Sequence, residues 1–303
     1  MTPSRPSTTW AGHVAMLAFS ALIAGSFSLG VLVAPMADPA ALSAVRFVLA
    51  AGVIGAAALA TTPVRRSDLS APWRYLVLGL LLSIYFVLMF EGLKTADPVS
   101  AAAVLTLTPA MAAGFGRLLL RQQLSGRIAA ALAIGALGAL WVIFRGDPQA
   151  ALRFEIGPGE AIYFLGCVAH AAYTPMVRRL NRGEPALTFT FGTLLAGSGV
   201  LLLWGLAAIR QTDWTALPAL FWFVMGYLVI CATAMSFVLL QFASLRLPAS
   251  KVMAYTYLVP SWVILWQMAL GAAHPPMTVI VGVCLTAIAL FMLLENGRES
   301  PTA

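Results

Sequence analysis

Ten apolar runs, each about as long as a hydrocarbon core is thick, follow one another along this chain with only short connections between them. They lie at about 14–34, 40–61, 75–91, 98–120 and 128–144, then at about 159–177, 186–209, 217–243, 249–272 and 277–294. A helix needs about 17 to 25 predominantly apolar residues to cross a bilayer core, and its backbone must be satisfied internally there. The pattern therefore predicts an all-α, polytopic membrane protein with ten transmembrane helices. Asp38, Asp68, Asp97, Asp147, Glu184 and Asp213 all fall between the runs, where water can solvate them. With 61% of residues apolar and 10% charged, a soluble single core of this length is excluded. The first run reads as a span rather than a signal peptide, because it is too long and no soluble domain follows it.

The net charge of +7 forms no contiguous basic tract; the arginines sit in short loops and read as topology signals, so no nucleic-acid partner is expected. Cys167, Cys231 and Cys284 lie inside apolar runs without CxxC or Cys/His spacing, so neither a disulfide, a metal nor another cofactor is expected.

Lysine and arginine placement sets the expected orientation, because positive loops are retained in the cytoplasm. With the N-terminus inside, the cytoplasmic loops and span ends hold thirteen: Arg5, Arg65, Arg66, Arg74, Arg117, Arg121, Arg127, Arg178, Arg179, Arg182, Arg246, Lys251 and Arg298. The other side holds four, Lys94, Arg145, Arg153 and Arg210, and Arg46 lies within a span. Both termini are thus expected in the cytoplasm, at a bacterial inner membrane.

The two halves, 1–146 and 147–303, carry weak copies of one another. ALSAVRFVLAAG from Ala41 is answered by ALTFTFGTLLAG from Ala186, with Arg46 facing Phe191. At a shift of 151 residues Phe86 meets Phe237, Leu88 meets Leu239, Ala103 meets Ala254, Leu107 meets Leu258 and Pro109 meets Pro260. Five spans per half is an odd number, so the second half enters from the opposite side, as an inverted five-helix repeat. Pro109 and Pro260 each sit near the middle of a span and free a backbone carbonyl. They read either as paired kinks at a central cavity or as prolines of the kind ordinary in membrane helices.

These features resemble the EamA family of the drug/metabolite transporter superfamily. The resemblance rests on Pro39 through Arg46, on the blocks around Pro109 and Pro260, on Gly25-Ser26 in the first span and on Arg178-Arg179 after the sixth. Within the family the chain is similar to the YddG-type exporters of aromatic amino acids. It departs from the family pattern at Ala24, Gln122 and Ala272, where tryptophan, glutamate and glutamate are common. The resemblance implies a central cavity between spans one to four and six to nine, with the fifth and tenth at the periphery.

Residues at i, i+3, i+4 and i+7 share one side of a helix. In the ninth span Ser250, Ala254, Tyr257 and Ser261 make a small polar face expected to look inward, opposite Tyr255, Trp262 and Trp266. Thr106 occupies the matching position in the fourth span, beside Val99, Ala103 and Ala110. Thr233 and Ser236 share a side of the eighth span, Tyr85 answers Ser236 in the third, and His170, Tyr173 and Thr174 share a side of the sixth, with Ser28 answering Tyr173. Arg46, Tyr85, Thr106, His170, Tyr173, Ser236 and Tyr257 are accordingly the candidate substrate-binding residues. Such a lining suits a ligand with an aromatic or apolar body and polar ends, though the same residue types also glue membrane helices together.

Arg46 stands out because a charge within a span costs roughly 3 kcal/mol and needs a partner or water. Three readings are open: it holds a substrate carboxylate, it pairs with a structural acid such as Glu91, or it snorkels outward. No carboxylate lies at mid-span, so ion coupling is expected to be absent, leaving a facilitator or exchanger. His170 is then the one central group for a proton, or else a hydrogen-bonding core histidine. The expected function is a carrier, not an enzyme, exporting small organic metabolites, aromatic or other apolar amino acids first, by alternating access. The alternatives are an integral-membrane enzyme on a lipid or small amphipathic substrate, and a non-transporting scaffold or receptor subunit. The expected partners are the small-molecule substrate and membrane lipid, with the protein a monomer or homodimer.

Overall fold

The computed structural model describes residues 6–61, 70–122, 125–144, 146–152, 156–273 and 275–295. Arg5, Arg65, Arg66, Asp68, Arg145, Arg153 and Arg298 of the expected charge pattern lie outside the described residues. The first half runs α1 (Pro6–Ser28), α2 (Gly30–Val33), α3 (Pro39–Thr61), α4 (Trp73–Gly92), α5 (Pro98–Leu105), α6 (Thr108–Leu120), α7 (Gly126–Ile143) and α8 (Pro148–Leu152). The second runs α9 (Pro158–Leu180), α10 (Ala186–Trp204), α11 (Leu206–Gln211), α12 (Ala219–Val229), α13 (Ser236–Ser244), α14 (Ala249–Ala254), α15 (Val259–Ala269) and α16 (Met277–Glu295).

Eight helical segments among the described residues are long and apolar enough to cross a membrane: Thr9–Val33, Pro39–Thr61, Trp73–Gly92, Pro98–Leu120, Gly126–Ile143, Ala186–Trp204, Ala219–Ser244 and Met277–Leu294. The expected sixth and ninth spans are the two that fall short of this. α9 is as long as α3, at 23 residues, but carries Glu160, Arg178 and Arg179. The ninth is broken between α14 and α15 by a 3-10 turn over Tyr255–Leu258.

Local chemistry explains where rods begin. Asp38 and Asp97 each precede a proline, and each carboxylate accepts from the backbone N–H groups left free at a helix start: Ala40 (2.8 Å) and Ala41 (3.2 Å) for Asp38, Val99 (2.9 Å) and Ser100 (3.3 Å) for Asp97. Proline at the first helical position forfeits no bond, since its N–H would have no partner there.

Pro109 and Pro260 each fall in the first turn of a new helical segment, α6 and α15, after a short turn that ends α5 or α14. Proline 109 leaves the carbonyl four residues back without its N–H. That carbonyl is Leu105 O, and Thr108 Oγ1 donates to it at 2.6 Å. Thr256 Oγ1 likewise donates to Met253 O at 2.7 Å, and the two threonine hydroxyls lie 3.3 Å apart, joining the broken rods. The eighth rod is also irregular: a π-helical turn over Ile230–Met235 separates α12 from α13.

Close crossings depend on glycine. A methyl group at Gly79 in α4 would sit 2.5 Å from the Gly197 backbone nitrogen in α10. One at either Gly138 in α7 or Gly282 in α16 would sit 2.7 Å from the other's carbonyl oxygen. In lipid, where burial of apolar surface does not favour one helix pair over another, such backbone approach is what drives packing. α4 packs on α9 and α10, α1 on α13 and α15, and α7 on α16. The starts of α5 and α9 meet at one end of the bundle, the Asp97 end; the start of α4 and the end of α9 meet at the other, the Arg74 end.

Candidate substrate site

Arg46 lies in the second turn of α3, with no accessible surface. Its Nε donates to Thr233 Oγ1 and its Nη2 to Ala232 O at 2.9 Å. Both acceptors belong to the π-helical turn, and Thr233 Oγ1 in turn donates to Leu228 O, five residues back, at 2.6 Å. Widening one helical turn is what leaves Ala232 O available to a side chain, and such turns recur at functional sites. The guanidinium lies over the Phe86 ring, 4.2 Å from its centroid, a favourable placement for a cation. Nη1 is buried and has no hydrogen-bond partner.

Neither structural alternative for Arg46 holds. Glu91 pairs with Lys94 at 2.7 Å, on a part-exposed surface, because the lysine sits one turn away on the same side. Outward snorkelling is ruled out by complete burial and by the two bonds to the eighth rod.

Beside the arginine lies a cavity of about 20 Å³, lined by Phe19, Ser26, Tyr85, Phe86, His170, Ala232 and Phe237 among others. That is room for about one water. Phe86 and Phe237, repeat partners in the sequence, meet here with ring centroids 5.8 Å apart, and Phe47 packs edge-on to both. Tyr85 stacks on His170 at 4.4 Å between centroids and shares a 2.9 Å hydrogen bond with Tyr163. His170 Nδ1 is buried without a partner. One turn on, Tyr173 lies nearly parallel to the imidazole and accepts from Gln241 Nε2 at 2.9 Å.

The candidates separate. Tyr85 and His170 line the cavity, Arg46 lies behind its wall against Phe86 and Ala232, and Tyr173 and Ser236 adjoin it, Ser236 Oγ donating to the same Ala232 O at 2.8 Å. Thr106 belongs to the α5–α6 break, donating to Ala103 O at 2.6 Å. Tyr257 is a correction. It was expected to look inward, but its ring packs between α7 and α16, where a methyl at Gly135 would sit 2.3 Å from it, and its hydroxyl has no partner. The 3-10 turn beginning at Tyr255 rotates the face that uniform α periodicity would direct inward.

Sequence reasoning missed Tyr163, Gln241 and the acceptor role of Thr233. Tyr163 lies seven residues before His170 on one face, a signal available in the helical period. It also missed a buried ion pair at the Arg74 end. Arg74 Nη2 lies 2.7 Å from Glu184 Oε1, and Arg74 Nη1 donates to Leu180 O at 2.7 Å. The Asp97 end holds two hollows of about 390 Å³ each, one beside Asp97 and Gln267 and the other beside Asp147 and Glu160. Glu160 Oε1 accepts from Ser100 Oγ at 2.8 Å between them.

A model of the EamA-like transporter family matches residues 10–144 and again 157–295. An uncharacterized transporter of Bacillus subtilis (strain 168), YyaM, is 24% identical over 287 residues, spanning 94% of this chain and 93% of its own length. A solved crystal structure with 23% identity matches at a TM-score of 0.72 over 98% of this chain and 100% of its own, a likeness of fold.

Proposed function

The chain belongs to the EamA-like transporter family, and on that premise we propose a carrier, not an enzyme, that exports small organic metabolites, aromatic or other apolar amino acids among them. The family and the apolar helices make it a multi-pass membrane transporter. In the proposed reading α9 and the broken α14–α15 rod complete ten spans, arranged as inverted halves 1–146 and 147–303. Both termini lie in the cytoplasm of a bacterial inner membrane, on the side favoured by lysine and arginine placement.

One observation carries the reading. A completely buried arginine, beside a cavity walled by aromatic rings, keeps one guanidinium nitrogen without a partner. An aromatic body suits the rings and a carboxylate suits the guanidinium. Arg46 anchors, Tyr85 and His170 line the site, Tyr173 and Ser236 support it, and Pro109 and Pro260, with Thr106, provide the breaks about which half-rods move. A ligand pocket is ordinarily about 300 Å³ or more, so the cavity widens to bind, and the hollows at the Asp97 end support access from that side. Alternating access between two such ends is the proposed cycle. Among the described side chains no carboxylate lies beside Arg46, which favours facilitation or exchange over ion coupling.

Counterflow of radiolabelled phenylalanine, methionine and threonine in proteoliposomes tests the reading. Saturable counterflow lost in Arg46→Ala is expected. No counterflow of any of the three by well-folded protein would sink the amino-acid assignment.

A further inference from the structure

The seven acids whose side chains are described are all engaged away from Arg46. Asp38 and Asp97 cap helices, Glu160 accepts from Ser100, and Glu91 and Glu184 pair with Lys94 and Arg74. Asp147 and Asp213 hold turns through the Gln149 and Thr215 backbone N–H groups. What the guanidinium does touch is neutral: a threonine hydroxyl, a backbone carbonyl and the Phe86 ring. A buried cation without a counter-charge is costly, and an approaching anion relieves that cost.

We infer that the substrate supplies the missing negative charge, so that the site prefers a monocarboxylate on an aromatic or apolar body, without an ammonium group, over the corresponding zwitterion. The inference rests on the carrier reading above and narrows its substrate class. A carboxylate oxygen on Arg46 Nη1 makes a charge-assisted hydrogen bond and leaves the site neutral. Ser43, three residues before Arg46 on the same side of α3, is buried with its hydroxyl unpartnered and is the candidate donor to the second oxygen. A zwitterion fares worse: its ammonium would sit beside the guanidinium, and among the described residues no carboxylate lines the cavity to receive it. Ser26, Tyr85 and His170 are the polar side chains there, and none is a carboxylate. An amine without a carboxylate meets the repulsion of the guanidinium and brings no negative charge to offset it.

The test uses the full chain in proteoliposomes at pH 7.5, with protein-free vesicles as the blank. Self-counterflow of labelled phenylalanine and of labelled 3-phenylpropionate is measured, with phenethylamine as competitor of each. The expected result is half-saturation by 3-phenylpropionate at a concentration at least tenfold below that of phenylalanine, no competition by phenethylamine, and loss of the preference in Arg46→Gln with part retained in Arg46→Lys. Phenylalanine counterflow at equal or lower concentration than the acid overturns the inference and leaves the carrier reading standing. No protein-dependent flux of either compound, from protein that still melts cooperatively, overturns the inference and the amino-acid assignment together. Should Arg46→Gln fail to fold, the comparison of the two compounds on the native chain decides.

Discussion

The guanidinium of Arg74 and the carboxylate of Glu184 lie 2.7 Å apart with both side chains almost fully buried, fastening the start of α4 to the loop between α9 and α10. The loop is ordered around the pair: Arg182 N donates to Glu184 Oε2 at 2.6 Å and Asn181 Nδ2 to Glu184 O at 3.1 Å. Removing one partner of a buried pair costs about 3 to 5 kcal/mol, because the other charge is left stranded. Glu184→Ala is expected at the lower end, since Arg74 also donates to three backbone carbonyls, those of Leu180, Ser70 and Ala71. A thermal melt in detergent reads the loss, and Arg74→Met with Glu184→Leu should lose less than Glu184→Ala alone.

The same pair makes stability depend on pH. Burial acts to raise the Glu184 carboxyl, but the Arg74 hydrogen bond, the Arg182 N–H and the Arg74 charge outweigh it and hold the group below its ordinary value. A depressed carboxylate contributes stability that is present above its unfolded value and is lost as pH falls through the folded one. The melting temperature should change little between neutrality and about pH 5 and fall as pH drops below the ordinary glutamate value of about 4.3 in the native chain, and less steeply in Glu184→Gln. Equal slopes would remove the pair from the account.

Gly79 and Gly52 should respond in opposite ways to one added methyl group. At Gly79 it meets the Gly197 backbone at 2.5 Å, whereas at Gly52 nothing lies within 4 Å. Gly79→Ala is expected to destabilise by about 1 to 3 kcal/mol through forced separation of α4 and α10, and Gly52→Ala to be neutral or slightly stabilising. Paired melts under one detergent condition compare them.

Thr108 and Pro109 form a coupled pair. Thr108→Val strands the Leu105 carbonyl, at a cost of about 1 kcal/mol, while Thr108→Ser keeps the donor. In a Pro109→Ala background the alanine N–H supplies Leu105 O instead, so the valine should cost less. Additive losses in the double variant would refute the coupling.

Thr233→Val deprives Arg46 Nε of its acceptor without changing side-chain shape. Hydrogen bonds to charged groups contribute about 1.5 to 3 kcal/mol to stability; the loss falls on the placement of the guanidinium, and a misplaced Arg46 is expected to raise the half-saturating substrate concentration. Thr233→Ser should stay near the native value. Counterflow titration separates the two.

The apolar runs, the aspartate-proline starts and the two mid-span prolines were legible in the sequence, because each is a local property: length against bilayer thickness, a cap, a missing N–H. The membrane class followed from them, the transporter class from the family resemblance, and the candidacy of Arg46, Tyr85 and His170 from a charge within a span, the repeat register and a helical face. Partner choice was another matter. Whether Arg46 meets Glu91, lipid headgroups or Thr233 depends on how α3 is rotated and which rod crosses it, and rods that are apolar on nearly every face carry little periodic record of rotation. The π-helical turn that presents Ala232 O, the 3-10 turn that carries Tyr257 away from the cavity, and the pairing of Arg74 with a glutamate 110 positions later are all consequences of packing. Hydropathy and composition determined that the chain crosses a membrane in many helices; backbone crossings at glycine, and the hydrogen bonds left over after each proline or widened turn, decided which side chains face one another inside.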